Sequence, residues 1–250
     1  MTASSWMPLG PPGPAEIPLF MLPPAGGSAA LYQPGAWVAV APGVRVCPVE
    51  PPGRGARLAE PPLTSAEELV AGLDLACRPR DGRLWAVLGH SMGALAAAAW
   101  AAAAHDQGHG PSVLYLSAAA PPWAYPIAAE LVACDDEELW ARMSAVGGVP
   151  AAYRNSPAAA RLFTPIMRAD IQAVAALGAA SVGCPVVVLC GAEDPAVPRR
   201  LLVHWREIAV GDFTVRLLPG AHFYQGGIGD LAGIVRTDLP QRLARGNRHG

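Results

Sequence analysis

Gly89-His90-Ser91-Met92-Gly93 stands between an apolar run, Leu84-Trp85-Ala86-Val87-Leu88, and an alanine-rich run from Ala94 to Ala104. The first run reads as a buried strand and the second as a helix. A serine in a Gly-x-Ser-x-Gly junction between strand and helix reads as a nucleophile elbow. The turn is so tight that the flanking positions have no room for a β-carbon, and the serine is held in strained backbone. That strain pushes its hydroxyl into the open at the carboxyl edge of the sheet, where open α/β sheets bind ligands.

Composition sets the frame around this motif. A chain of 250 residues forms one large domain or two small ones and buries most of its surface. Apolar residues make up 52% and charged residues only 15%, so a sizeable core is expected and disorder is not. The formal net charge is −2, lysine is absent and the arginines are scattered. No basic stripe exists to neutralise phosphates, which argues against a nucleic-acid partner. The missing lysine reads as codon bias rather than chemistry. Cys47, Cys77, Cys134, Cys184 and Cys190 are odd in number, dispersed and without a Cys-x-x-Cys pair, the pattern of free buried thiols in a reducing compartment. Met1 to Pro14 has no basic residue and is broken by prolines, so it does not read as a signal peptide. The alanine run is too short and too weakly apolar to span a bilayer. The expectation is a soluble cytoplasmic protein with no membrane partner, and a monomer by default.

Outward from the elbow, strand and helix signals alternate. Ile17 to Leu22 gives a short strand ended by Pro23-Pro24-Ala25-Gly26-Gly27, and Val44 to Val49 gives another, followed by a Pro/Gly/Arg loop through Pro62. Thr64 with Glu67, and Ser65 with Glu68, both fit a capping box opening a helix with Leu69, Val70, Leu73 and Cys77 on one stripe. Val113 to Leu116 is a strand closed by Pro121-Pro122. From Tyr125 to Ala180 only helical periodicity appears, with Asp135 to Glu138 suited to a helix amino end. Strands return at Pro185–Cys190 and Phe213–Leu218, with helices at Pro198–Ile208 and Asp230–Ala244. This alternation predicts an α/β-hydrolase fold, with a mostly parallel central sheet, helices on both faces and a helical lid insertion. The expected division is a flexible leader over 1–16, a core over 17–124 and 181–245, a lid over 125–180 and a tail over 246–250.

In this fold the partners of the serine follow in the order acid, then histidine, each just past a strand. Gly191-Ala192-Glu193-Asp194-Pro195 follows the valine strand and offers Asp194, with Glu193 as the alternative. Pro219-Gly220-Ala221-His222-Phe223 follows the next strand and holds the histidine. A hydroxyl alone is a poor nucleophile near neutral pH, so His222 takes the proton of Ser91 while Asp194 fixes the imidazole tautomer. The oxygen that becomes negative needs donors aimed in advance. Met92 N–H, directly after the nucleophile, is one; Ala25 N–H, in the glycine turn after the first strand, is the other.

Other signals point to ordinary structure. His105 and His109 are i, i+4 apart but lie where a helix frays into glycines, and read as helix-end imidazoles rather than metal ligands. His90 reads as a packing and hydrogen-bonding neighbour. Gly227-Ile228-Gly229 mimics a dinucleotide fingerprint without a strand before it. The Asp135–Glu138 cluster reads as a helix start rather than a metal site, and Arg54, Arg57 and Arg168 as solvated or salt-bridged.

Taken together, the motifs resemble those of the type II thioesterases of polyketide and nonribosomal peptide assembly lines. Leu22-Pro23-Pro24-Ala25-Gly26-Gly27 is similar to that family's first loop. Pro52-Gly53-Arg54-Gly55-Ala56-Arg57 with Glu60-Pro61-Pro62 resembles its second signature, and Gly89–Gly93 its elbow. Met167-Arg168-Ala169-Asp170 resembles its lid motif, while Gly191–Asp194 and Gly220–Phe223 match its acid and histidine loops. The likeness runs from about Ile17 to Leu243. It departs at Pro24, where the family often carries histidine or an aromatic, and at Ala221, where glycine is common. The resemblance implies a mobile lid and hydrolysis of stalled or wrong acyl groups from the phosphopantetheine arm of an acyl or peptidyl carrier protein. No metal or organic cofactor is called for, because backbone donors polarise the carbonyl. The residues alone leave a carboxylesterase or lipase-like enzyme, an acyltransferase and a non-catalytic binding homologue open.

Overall fold

A computed structural model describes residues 3–32, 35–37, 40–79 and 82–246. Met1 and Thr2 of the expected leader, and all of the expected tail after Gly246, lie outside the described residues. Six strands form one sheet in the order β2-β1-β3-β4-β5-β6: β1 Ile17–Leu22, β2 Val44–Pro48, β3 Ala86–His90, β4 Val113–Ser117, β5 Val186–Gly191 and β6 Phe213–Leu218. Every neighbouring pair is parallel, with Phe20 opposite Val87 and His90 opposite Ser117. Parallel strands need crossovers, and the crossover helices cover both faces. The alternation of side chains shows this directly. Phe20, Val87, Leu114, Leu116 and Val188 pack in one core cluster, while Leu19, Met21, Leu88, Tyr115 and Val187 pack in the other. Both halves of each period-2 strand are therefore buried, which is why these strands read as continuous apolar runs.

The elbow helix α3, Met92–Asp106, is buried on nearly every side, and its alanines let it sit between the sheet and α2, Ala66–Cys77. Of the two possible caps on α2, Ser65 is the one used, accepting the N–H of Glu68 at 3.1 Å. The strand before the elbow runs two residues further than expected, through Gly89 and His90, so Ser91 follows the sheet edge without a spacer. A β-carbon on Gly89 would lie 2.0 Å from the Gly93 carbonyl oxygen, and one on Gly93 would lie 2.4 Å from that of Leu22. Both positions admit only glycine.

Between β4 and β5 the chain forms α4 Ile127–Ala133, α5 Asp136–Ala145 and α6 Pro157–Val174. Asp135 caps α5 by accepting the Glu138 N–H at 2.8 Å, the helix start that the acidic run suggested. Among the described residues no helix is long and apolar enough to cross a membrane. The last helix, α7, spans Asp230–Gly246.

One expectation needs correction. The leader is not loose from Ala3 onward: α1, Ala3–Trp6, buries Trp6 completely against Gly72 of α2, with the Arg57 guanidinium 4.7 Å from its ring centre. The Glu50 N–H also bonds to the Trp6 carbonyl at 2.8 Å. A single aromatic supplies the contact area that the flanking prolines hid from periodicity. The helix expected after β5 is present, as a 3₁₀ helix over Arg199–Glu207. Its buried residues Leu202 and Trp205, with buried Ile208 directly after its end, recur every three positions, the period of a three-residue turn.

Candidate active site

Ser91 has φ 55° and ψ −122°, a strained conformation for a non-glycine residue that turns its side chain out of the elbow. Asp194 and His222 arrive from the loops after β5 and β6. Those loops are stitched together by the Ala192 N–H to the Leu218 carbonyl at 2.8 Å and the Glu193 N–H to the Gly220 carbonyl at 2.9 Å. As a result His222 Nε2 lies 3.0 Å from Ser91 Oγ, and His222 Nδ1 lies 2.8 Å from Asp194 Oδ2. The Asp194 side chain is fully buried and its Oδ1 accepts the Ala196 N–H at 2.9 Å. Glu193, the alternative acid, is exposed, and its backbone makes the loop contact. With a carboxylate on one ring nitrogen and a hydroxyl on the other, the imidazole has the arrangement of a general base for that hydroxyl.

Ala25 and Met92 line the same cavity as Ser91 and His222. Among the described residues, neither Ala25 N–H nor Met92 N–H takes an acceptor. Three amides that follow Ala25 are engaged: Gly26 N–H with Asp170 Oδ2 at 2.8 Å, Gly27 N–H with the Pro24 carbonyl at 2.9 Å, and Ala29 N–H with Glu50 Oε2 at 3.0 Å. The cavity holds about 370 Å³ and extends under the helical insertion, walled by Tyr125, Leu131, Met143, Ile171, Val174 and Val197. Its walls suit a carbon chain. A second hollow of about 440 Å³ lies over the outer side of α3, but its alanine-rich lining carries no nucleophile beside a base.

Behind the histidine lies a buried polar chain. His90 Nδ1 is 2.9 Å from Ser117 Oγ, which is 2.6 Å from the Tyr224 hydroxyl, and Tyr224 also donates to the Leu189 carbonyl at 3.3 Å. The His90 ring packs edge-on against His222, 5.3 Å between centres, and at a tilt against Phe223, 4.8 Å between centres. Burial, and then the neighbouring His222, push the His90 pKa well below its usual range, so its ring stays neutral at neutral pH. His90 is thus a packing and hydrogen-bonding neighbour. Ser117 and Tyr224 carried no sequence signal, because nothing local marks a serine at a strand end as the partner of a tyrosine 107 positions away.

The three arginines are all paired. Arg168 bonds Asp136 at 2.7 Å and Arg57 bonds Glu60 at 2.6 Å. Arg54 is buried with all its donors engaged: Nε and Nη2 on the Pro52 carbonyl, Nη1 on the Gly27 carbonyl and on Asp170, and Nη2 on Asp170. Removing one partner of such a pair costs about 3–5 kcal/mol, because it strands a charge in low dielectric.

A parallel sheet, a strained serine at its edge and a histidine–aspartate pair from the following loops define a serine hydrolase of the α/β-hydrolase class. The sequence profile described as Thioesterase domain matches residues 17–239. Thioesterase PikA5 of Streptomyces venezuelae is 34% identical over 219 residues, covering 84% of this chain and 76% of that protein. Among solved structures, the type II thioesterase BorB from the borrelidin biosynthetic cluster superposes with a TM-score of 0.80 at 30% identity, covering 96% of this chain and 98% of that one. RedJ, the thioesterase of the prodiginine pathway of Streptomyces coelicolor, gives 0.76 at 29% identity over 95% and 99%. The chain belongs to the thioesterase family, among the type II thioesterases.

Proposed function

We propose that this enzyme removes stalled or wrong acyl groups from the phosphopantetheine arm of acyl or peptidyl carrier proteins in polyketide or nonribosomal peptide synthesis. Ser91, His222 and Asp194 are the catalytic residues, and Met92 N–H and Ala25 N–H the oxyanion donors. The observation that carries the reading is the unbroken hydrogen-bond path from Asp194 through His222 to Ser91 at the mouth of an apolar cavity.

In the first half-reaction Ser91 Oγ attacks the thioester carbonyl as His222 Nε2 takes its proton. The negative oxygen that develops is met by the two free amides, which need no rearrangement to receive it. Collapse breaks the carbon–sulfur bond, and His222 returns the proton to the departing thiol. Water then attacks the acyl-serine by the same route, releasing the acid and restoring the hydroxyl. Backbone donors do the polarising, so no metal or organic cofactor enters a step.

Residues 125–180 serve as the lid in this reading, with 17–124 and 181–245 as the hydrolase core. The enzyme acts as a monomer in the cytoplasm, where Cys47, Cys77, Cys134, Cys184 and Cys190, free in the structure, stay reduced. Ser91→Ala is expected to abolish acyl release from a loaded carrier protein, followed by intact-protein mass spectrometry; unchanged turnover overturns the assignment. Matched thioester and oxygen-ester substrates test the bond type, and a strong preference for the oxygen ester counts against a carrier-bound thioester.

A further inference from the structure

Asp170 lies on α6, inside the helical insertion, yet its carboxylate reaches the loop after β1. Its Oδ2 accepts the Gly26 N–H at 2.8 Å across 144 positions of chain, and Arg54, from the loop after β2, grips both oxygens. Three separate segments therefore meet at one carboxylate that is 5% exposed. The contact does more than close a gap. The Gly26 amide belongs to the peptide directly after Ala25, so the bond that holds it also sets the tilt of the residue whose N–H is left free in the cavity. Met167, one turn earlier on α6, presses on the same place: a β-carbon on Gly26 would sit 2.7 Å from its Cγ. At the far end of the loop Glu50 holds the Ala29 N–H, so the loop is tied at both ends. Ile171 and Val174, on the same helix as Asp170, line the acyl cavity.

We infer that Asp170, clamped by Arg54, is a positioning residue that aims the Ala25 N–H at the developing oxyanion. Through it the last helix of the insertion becomes a fixed wall of the catalytic site rather than a free flap. The helix that meets the acyl chain at Ile171 and Val174 holds the oxyanion loop at Asp170. The inference rests on the acyl-serine reading above, because an aimed donor has value only where a carbonyl oxygen becomes negative.

Arg54→Met/Asp170→Leu removes both charges together and leaves Gly26 N–H without its acceptor, and apolar replacement of a buried ion pair is tolerated by many folds. Hydrolysis of an acyl-N-acetylcysteamine thioester is measured beside inhibition by the matching trifluoromethyl ketone thioether. Ser91 adds to that ketone, and the adduct oxygen occupies the oxyanion position. The expected result is a fall in kcat of about 10²-fold, with KM nearly unchanged and the inhibition constant of the ketone raised by a similar factor. A loss of folded protein alone would lower kcat and leave the inhibition constant where it was, which overturns the inference, as does wild-type kcat in the double variant. Should the double variant fail to fold, Asp170→Asn keeps the volume and loses the charge-assisted bonds; kcat and the inhibition constant are then expected to move together by about tenfold. An unmoved inhibition constant in that variant overturns the inference. If the wild-type enzyme itself neither hydrolyses the thioester nor binds the ketone, the acyl-serine reading fails first, a result distinct from either outcome.

Discussion

Replacing Asp194 with asparagine exchanges one oxygen for an NH2 group, and the surroundings dictate which way the new amide faces. In the native site Oδ1 accepts the Ala196 N–H at 2.9 Å and Oδ2 faces His222 Nδ1 at 2.8 Å. In Asp194→Asn the amide oxygen stays on the Ala196 side, because an NH2 there would confront a second donor. The NH2 group then faces Nδ1, and His222 carries its proton on Nε2, toward Ser91. An imidazole whose proton already points at the hydroxyl cannot accept another from it. Flipping the amide restores the tautomer but leaves the half-buried Ala196 N–H without its acceptor, at a cost of about 1–3 kcal/mol before the donor–donor repulsion is added. At about 1.4 kcal/mol per factor of ten, this limits the productive form to between about one molecule in five and one in 150. A complete tautomer block in a Ser-His-Asp site costs about 10⁴ in kcat. The expected loss therefore runs from about fivefold, where the flip costs least, to about 10⁴, where the tautomer is fully blocked, up to about 5.5 kcal/mol of barrier. Thiol release from a soluble acyl thioester reads it directly, and circular dichroism checks that the fold is intact. A loss below about fivefold would refute the assigned roles of both Asp194 and His222.

Two further outcomes follow from the same geometry. A β-carbon on Gly191, the last residue of β5, would lie 2.1 Å from the Ala221 carbonyl oxygen. Gly191→Ala therefore pushes the histidine loop back by about 1 Å, and kcat should fall by about 10²-fold although the substituted residue touches no substrate; unaltered kcat would show that the loop has slack. His90 is buried and held neutral, its native pKa lying below its unfolded value. Its contribution to stability is thus full above about pH 6.5 and declines as the pH falls, with a slope of up to about 1.4 kcal/mol per unit while only the unfolded state takes the proton. Glu50, whose pKa is raised chiefly by burial, acts in the opposite sense: its contribution is full below the usual carboxylate value and is lost as the pH rises through the native one. Urea unfolding between about pH 7.5 and 5 should therefore be less steep in His90→Gln than in wild type, and equal slopes would refute the neutral assignment.

Much of the chemistry is local and so was readable in the residues. The elbow needs glycines within two positions of Ser91, and the acid and histidine loops each begin where an apolar strand stops. A helix start such as Ser65 with Glu68, or Asp135 with Glu138, is settled by atoms three residues apart. Chain order alone named Ser91, Asp194 and His222 as candidates, and adjacency named Met92 N–H. What tertiary structure decided is every contact whose partners are distant in the chain. Trp6 fills a space made by α2, so a segment that looked loose is anchored. The three arginines resembled one another in sequence, yet only Arg54 is enclosed with Asp170 on the loop that carries Ala25. Ser117 and Tyr224 meet behind His90 because parallel strands bring their ends to one edge. Local pattern reports the energy a residue gains from its own turn or strand. Burial and long-range pairing depend on what the folded chain sets opposite it, and no window of sequence holds both partners.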